Sequence, residues 1–256
     1  FHSQSVGAGK TILIAYYTKY LTDRKARVLV LARQGELISQ NSEDYKMIGG
    51  KCSIYSASLG MKSTFYPAVF GTEGTVGRAL DTDFAYNQQE PKKSPGFYHA
   101  VLIDECHMVD WQDSISENPE TQYGKIISHL KTINPNIRII GYTGSPFRSN
   151  ASIKGAMWKE QLSDVSTYQL INEGFLVPPV FGFADDDHHY QGLDKYSPSD
   201  NASADDYSVK ELAAMGREIC KQKDTTALIM EEVIERTRNR LGVLITCASK
   251  KHCEQV

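Results

Sequence analysis

The chain has 256 residues, of which 41% are hydrophobic and 23% charged, a balance that suits a globular protein and excludes a disordered or fibrous one. No apolar run approaches the ~20 residues needed to cross a bilayer, and the opening residues are not a signal peptide, so a cytoplasmic protein without a membrane partner is expected. The net charge of −3 excludes an overall basic field, which leaves any nucleic-acid partner to be held in a local groove. The five cysteines, Cys52, Cys106, Cys220, Cys247 and Cys253, form no Cys-x-x-Cys pair and read as reduced thiols rather than a zinc site or disulfides.

In chain order, the first signal is residues 5–11 (SVGAGKT). Gly7 and Gly9 let the backbone turn its N–H groups toward a polyphosphate, an approach that side chains with a Cβ would obstruct. A helix predicted over 10–21 points its positive end at the same anion. Ser5, Val6, Gly7, Ala8, Gly9, Lys10 and Thr11 are therefore the expected ATP-binding residues, with Lys10 on the β- and γ-phosphates and Thr11 on magnesium. The full pattern has a glycine at position 4, where this chain has Gln4. Little chain precedes Gln4, so the strand leading into the loop is expected to be incomplete, and both ends of the chain read as cut.

Residues 26–32 (ARVLVLA) read as a buried strand, because Val and Leu run together without polar alternation. Residues 69–72, 100–105 (AVLIDE) and 138–143 (RIIGYT) read likewise. Helical spacing covers 35–48 and 122–133, and the alternation predicts a parallel sheet with helices on its faces. Residues 81–96 are polar and read as a solvated loop, with a strand contact through Lys92 and Lys93 as the alternative. An apolar strand ending in Asp104 and Glu105 places two carboxylates where they are costly unless they sit at the sheet's carboxyl edge over a cation. Asp104 fits a magnesium partner and Glu105 the base or positioner for an attacking water. Residues 143–148 (TGSPFR) form a hydroxyl-bearing turn after the next strand.

A helix is expected over 165–173, stopped by Gly174 and the pair Pro178-Pro179, with a domain boundary near 177–183. Residues 185–206 are polar and read as a connection. The His188-His189 pair beside Asp185, Asp186 and Asp187 reads as solvated rather than as a metal site. Helices over 209–221 and 226–240 and a buried strand over 242–248 (GVLITCA) follow.

The order of phosphate loop, Asp104-Glu105-Cys106-His107 and Thr143-Gly144-Ser145-Pro146-Phe147-Arg148 resembles superfamily 2 helicases of the DEAD/DEAH-box type, and more narrowly the bacterial RadD-like branch. Supporting stretches at 28–37, 69–72, 174–179 (GFLVPP) and 242–248 spread over nearly the whole chain. The resemblance implies an α/β fold: a RecA-like P-loop parallel sheet flanked by helices over 1–178, then a linker and the beginning of a second RecA-like lobe over 179–256. It implies that Lys10, Asp104 and Glu105 serve catalysis, that Thr11 and Asp104 hold magnesium, and that His107, Thr143 and Ser145 couple hydrolysis to movement. Arg33 and Glu36 fall in the first strand-contacting stretch and Thr72 and Thr75 in the next, where contacts to phosphates bind without reading sequence. Ser145 stands for the more usual Thr and Gly144 for the more usual Ala.

The implied activity is that of an ATP- and magnesium-dependent helicase or translocase of DNA repair. Single-stranded or branched DNA is the expected partner and RNA the alternative. The family's adenine-reading glutamine segment and second-lobe arginine finger are not found within 1–256, so this segment alone is expected to bind nucleotide weakly and to lack DNA-stimulated turnover. Other readings of the same motifs are the translocating subunit of a restriction system, a nucleotide-gated clamp on nucleic acid without turnover, and a small-molecule P-loop kinase. Residues 143–148 and the long spacing to Asp104 disfavour the kinase.

Overall fold

A computed structural model describes residues 1–148, 151–155, 157–179, 189–196 and 209–256. The chain divides into two compact units, Phe1–Pro178 and Pro179–Val256. Of the polar connection expected at 185–206, residues 185–188 and 197–206 lie outside the described residues, and with them Asp185, Asp186, Asp187 and His188.

The first unit is built on one sheet. Its strands are β1 (His2–Gln4), β2 (Val28–Ala32), β3 (Cys52–Ser56), β4 (Met61–Lys62), β5 (Ala68–Thr72), β6 (Ala100–Asp104) and β7 (Arg138–Thr143). A small hairpin of β8 (Phe147–Arg148) and β9 (Ala151–Ser152) follows, and β10 (Ser163–Val165) then returns to the sheet. The order is β10-β1-β7-β6-β2-β5-β3-β4, and every pairing is parallel except β3 with β4. This is the expected α/β class, a mostly parallel sheet flanked by helices.

The unbroken apolar strands have a physical reason, because the sheet is covered on both faces. Alternate residues of a strand point to opposite sides. Val28, Val30 and Ala32 of β2 join one core with Ile14 and Ala15 of α1 (Lys10–Asp23) and Ile38 and Tyr45 of α2 (Gly35–Met47). Leu29 and Leu31 join the other, which reaches past α3 (Glu73–Val76) and α4 (Trp111–Ser114) to Ile126, Ile127 and Leu130 of α5 (Gln122–Ile133). α6 (Thr167–Asn172) follows β10. Because the sheet is parallel, the carboxyl ends of β1, β6 and β7 come to one edge, two of them followed by the phosphate loop and the acidic box.

Three expectations need correction. The loop at 81–96 is anchored rather than freely solvated: Phe84 is fully buried between Tyr55 and Tyr98, with ring centroids 5.0 and 6.1 Å away. Ser94 is also buried, and any Cβ at Gly96 would collide with the Phe84 carbonyl. Around these anchors the rest of it is largely exposed, including Asp81–Asp83, Lys92 and Lys93. The strand expected to run to Glu105 ends at Asp104, because Glu105 turns into the left-handed region at φ 50°.

In the second unit, α7 (Val209–Ile219), α8 (Lys223–Arg236) and α9 (Lys250–Cys253) form, but 242–248 is not a strand. Leu244 there is 96% exposed. A strand exists through its neighbours' hydrogen bonds, and no other strand is present among the described residues of this unit.

The anchoring of the loop is measurable. Phe84→Ala removes a buried ring from the first unit's core and should lower its stability by about 3–5 kcal/mol, read as a fall in the urea midpoint. A shift within about 0.5 kcal/mol, the range of surface substitutions, would show that the loop does not contribute to the core.

Candidate nucleotide site

Gln4 ends β1, and the chain then turns through Ser5–Gly9 into α1. Gly7 and Gly9 take φ of 88° and 79°, conformations that a Cβ makes unfavourable. At Gly9 nothing among the described residues lies within 4 Å of where a Cβ would stand, so backbone angle alone calls for glycine there. At Gly7 the Leu176 side chain would also lie 3.1 Å away. Thr167 at the start of α6 donates to the Ser5 hydroxyl at 3.1 Å, so a segment distant in sequence rests on the loop twice. Gly9 caps α1 without any side-chain hydrogen bond, and no acidic residue stands in the first turn. The orphan N–H groups and the positive end of the helix dipole are thus left for an anion.

Lys10 curls back over the loop. Its Nζ donates to the Gln4 carbonyl at 3.2 Å and lies 3.8 Å from Glu105 Oε1. A Cβ at Gly144 would come within 3.2 Å of that Nζ, so the glycine found here in place of alanine leaves the ammonium room to sit where it does.

Asp104 is buried at the end of β6, and each of its oxygens receives one donor. The Glu105 N–H reaches Oδ1 at 3.0 Å and Asn41 Nδ2 reaches Oδ2 at 3.0 Å. The left-handed turn at Glu105 swings the next carboxylate out of the sheet, between two basic side chains. Its Oε1 faces Lys10, and its Oε2 lies 3.4 Å from His107 Nδ1. His107 Nδ1 also meets Thr143 Oγ1 at 2.7 Å. The threonine donates to the Ser145 carbonyl at 3.1 Å and accepts from the Ser145 N–H at 3.0 Å. A continuous polar chain therefore runs Lys10, Glu105, His107, Thr143, Ser145.

These groups enclose a pocket of about 400 Å³, lined by Ser5, Val6, Gly7, Gly9, Lys10, Thr11, Asp104 and Glu105 together with Leu37 and Gln40 of α2. Ala8 turns away and closes the loop with its N–H on the Ser5 carbonyl at 3.0 Å. A hydroxyl and one carboxylate suit magnesium, which keeps several waters and takes the rest of its ligands from phosphates. The sequence reading missed Leu37, Gln40 and Asn41. Its available signal was Asn41, a polar residue on the same helical stripe as Ile38 and Tyr45.

The three expected strand-contacting residues differ in exposure. Ala32 and Thr72 are paired across β2 and β5, yet Arg33 is exposed while Thr72 and Thr75 are 7% and 5% exposed. The two threonine hydroxyls bond each other at 2.8 Å, and Thr75 accepts from the Ala57 N–H at 3.1 Å. Their role here is to brace the loop after β3.

Residues 3–148 match the protein family described as type III restriction enzyme, res subunit (ResIII). The match covers more than half of the chain. The chain belongs to the ResIII family. With membership comes a helicase-like, nucleotide-using motor domain, and the phosphate loop, the acidic box and β7 all fall inside the matched range. Among solved structures, this ResIII chain is similar to T4 UvsW, with a TM-score of 0.39 and 19% identity over 56% of this chain and 26% of that one. It thus spans about a quarter of the UvsW chain. No curated protein matches it.

Cys106, inside the acidic box, contributes packing rather than chemistry. Burial pushes its thiol up to about 12, and its Sγ fills the space beside Gly141 that a Cβ would need. Native protein treated briefly with iodoacetamide at pH 8 should carry the label on exposed Cys253 and not on Cys106. Peptide mass spectrometry reads the result, and equal labelling of the two would contradict a buried, protonated thiol.

Proposed function

We propose that this chain is the ATP-binding motor segment of a superfamily 2 DNA helicase or translocase of the RadD-like kind, working in the cytoplasm. The observation that carries the proposal is the convergence of Lys10, Thr11, Asp104 and Glu105 on one pocket, continued outward by His107 to Thr143 and Ser145. In this reading the loop amides of Val6, Gly7, Gly9, Lys10 and Thr11, with the Ser5 hydroxyl and Ala8 shaping the turn, and the ammonium of Lys10 hold the β- and γ-phosphates of ATP. Thr11 and Asp104 hold magnesium, which when bound neutralises charge on those phosphates. Glu105 orients and deprotonates the attacking water. Its second oxygen faces His107, so a change at the γ-phosphate is felt at Thr143 and Ser145 and passes into movement. Residues 179–256 are read as a linker and the beginning of a second RecA-like lobe.

The strand contact is narrower than the motifs suggest. With Thr72 and Thr75 committed internally, Arg33 and exposed backbone amides are the groups left to meet DNA phosphates. Single-stranded or branched DNA is the proposed partner, and RNA is an outcome of the test below. The family match favours a second reading, the translocating subunit of a restriction system. That reading predicts ATP turnover stimulated by duplex DNA rather than by single strands. The deciding experiment measures turnover by the full-length protein with single-stranded DNA, branched DNA, duplex DNA, RNA or nothing.

Two variants test the assigned roles. Glu105→Gln should retain ATP binding, because Lys10 and Asp104 remain, while hydrolysis slows by on the order of a hundredfold or more. Near-normal turnover would remove Glu105 from the chemistry. Arg33→Ala should weaken DNA binding equally at all sequences and reduce the salt slope by about 1. Thr72→Ala, by contrast, should lower thermal stability with DNA affinity unchanged. Loss of DNA affinity in the threonine variant at full stability would return its hydroxyl to the strand contact.

A further inference from the structure

Asn41 poses a physical problem that packing does not solve. It lies in the middle of α2 with 0% exposure, beside Ile38 and Tyr45 of the apolar face. Its Nδ2 donates to Asp104 Oδ2 at 3.0 Å, while its Oδ1 is buried with no hydrogen-bond partner among the described residues. An ionised carboxylate only accepts, so the amide cannot be turned the other way to relieve the orphan oxygen. A buried amide with an unmade acceptor bond costs stability at that atom. A group kept at the expense of stability points to work done at the site it touches.

That work is visible at Asp104. Its Oδ1 is held by the N–H of Glu105, a residue fixed in a left-handed turn. Without Asn41 its Oδ2 would have no donor among the described residues, and the carboxylate would be held from one side only. With both oxygens gripped, the plane of the group is set, and each oxygen keeps a further lone pair to offer a cation or its water. We propose that Asn41 is a positioning residue that orients the Asp104 carboxylate for magnesium. It acts through Asp104 and touches no reacting atom, as outer partners of metal ligands do elsewhere. This inference rests on the reading of Asp104 as the magnesium carboxylate. It adds the consequence that α2, which carries Leu37 and Gln40 into the pocket, also sets the geometry of the metal ligand.

The test measures binding rather than turnover. The affinity of the full-length protein for a fluorescent ATP analogue is determined in magnesium and again in EDTA, alongside thermal unfolding, for Asn41→Leu and Asp104→Asn. The ratio of the two affinities is the magnesium-dependent gain. Asp104→Asn should abolish the gain. Asn41→Leu should cut it about tenfold, the order seen when an outer partner of a ligand is removed, with the EDTA affinity unchanged. A full gain in Asn41→Leu beside an abolished gain in Asp104→Asn overturns the role of Asn41 alone. A full gain in Asp104→Asn overturns the magnesium reading and the inference with it. If Asn41→Leu does not fold, Asn41→Ala and Asn41→Ser decide, since both leave a similar void and only serine retains a donor that can reach Asp104 through a water. A larger gain in the serine variant supports the role, and equal gains overturn it.

Discussion

Two adjacent carboxylates at the end of a buried strand pose a problem that the surrounding structure is arranged to solve. Asp104 remains in register with the sheet, paired opposite Tyr142 of β7, and remains buried. Were Glu105 to continue the strand, its side chain would point to the opposite face of the sheet, into the core that holds Ile103 and Cys106. The left-handed turn avoids this by ending the strand one residue early. A non-glycine residue in that conformation is disfavoured, at a level of order 1–3 kcal/mol, and it persists because the carboxylate it releases finds Lys10 on one side and His107 on the other. The phosphate loop, the acidic box and the turn after β7 thus form one electrostatic unit.

Sheet order explains why these parts meet. β1 and β6 are far apart in sequence but flank β7, so the loop after β1 and the carboxylates after β6 lie on either side of Thr143. A parallel arrangement is the only one that brings all three carboxyl ends to the same edge, which is where ligands of open α/β sheets bind. β2 lies on the far side of β6, and through α2 it contributes the pocket's remaining wall.

Much of this was legible from residues alone, for identifiable reasons. β2, β5, β6 and β7 are buried on both faces, so their apolar runs stand out in the sequence. The phosphate loop and the acidic box were readable because each concentrates unusual chemistry in a few adjacent residues. β3 escaped notice because its serines break the apolar run, and Ser53 is accommodated there only because its hydroxyl accepts from the Tyr66 N–H at 2.9 Å. β1 and β10 are three residues each and acquire strand character only from their neighbours. Phe84 was hidden in a polar stretch whose surroundings favoured solvent. The inward turn of Thr72 and Thr75 has no local signal at all, because the Ala57 N–H that Thr75 accepts from belongs to a different loop. Motif spacing reports which residues gather at an edge; whether a hydroxyl faces out or in is decided by tertiary hydrogen bonds.

The contacts of Leu176 on Gly7 and of Thr167 on Ser5 bear on how this protein can be dissected. Chain that follows the sheet's last strand touches the phosphate loop at Ser5 and Gly7, and α6 ends in a turn at Gly174 where the N–H groups of Phe175 and Leu176 both return to the Leu170 carbonyl, at 2.8 and 3.1 Å. The nucleotide end of the molecule is therefore not finished where the last strand of the sheet is laid down at Val165. A truncation that keeps every strand of that sheet but stops short of Leu176 would retain the fold's frame while baring the one loop whose backbone conformation must be held open. The natural place to cut lies beyond the prolines that follow, not at the edge of the sheet.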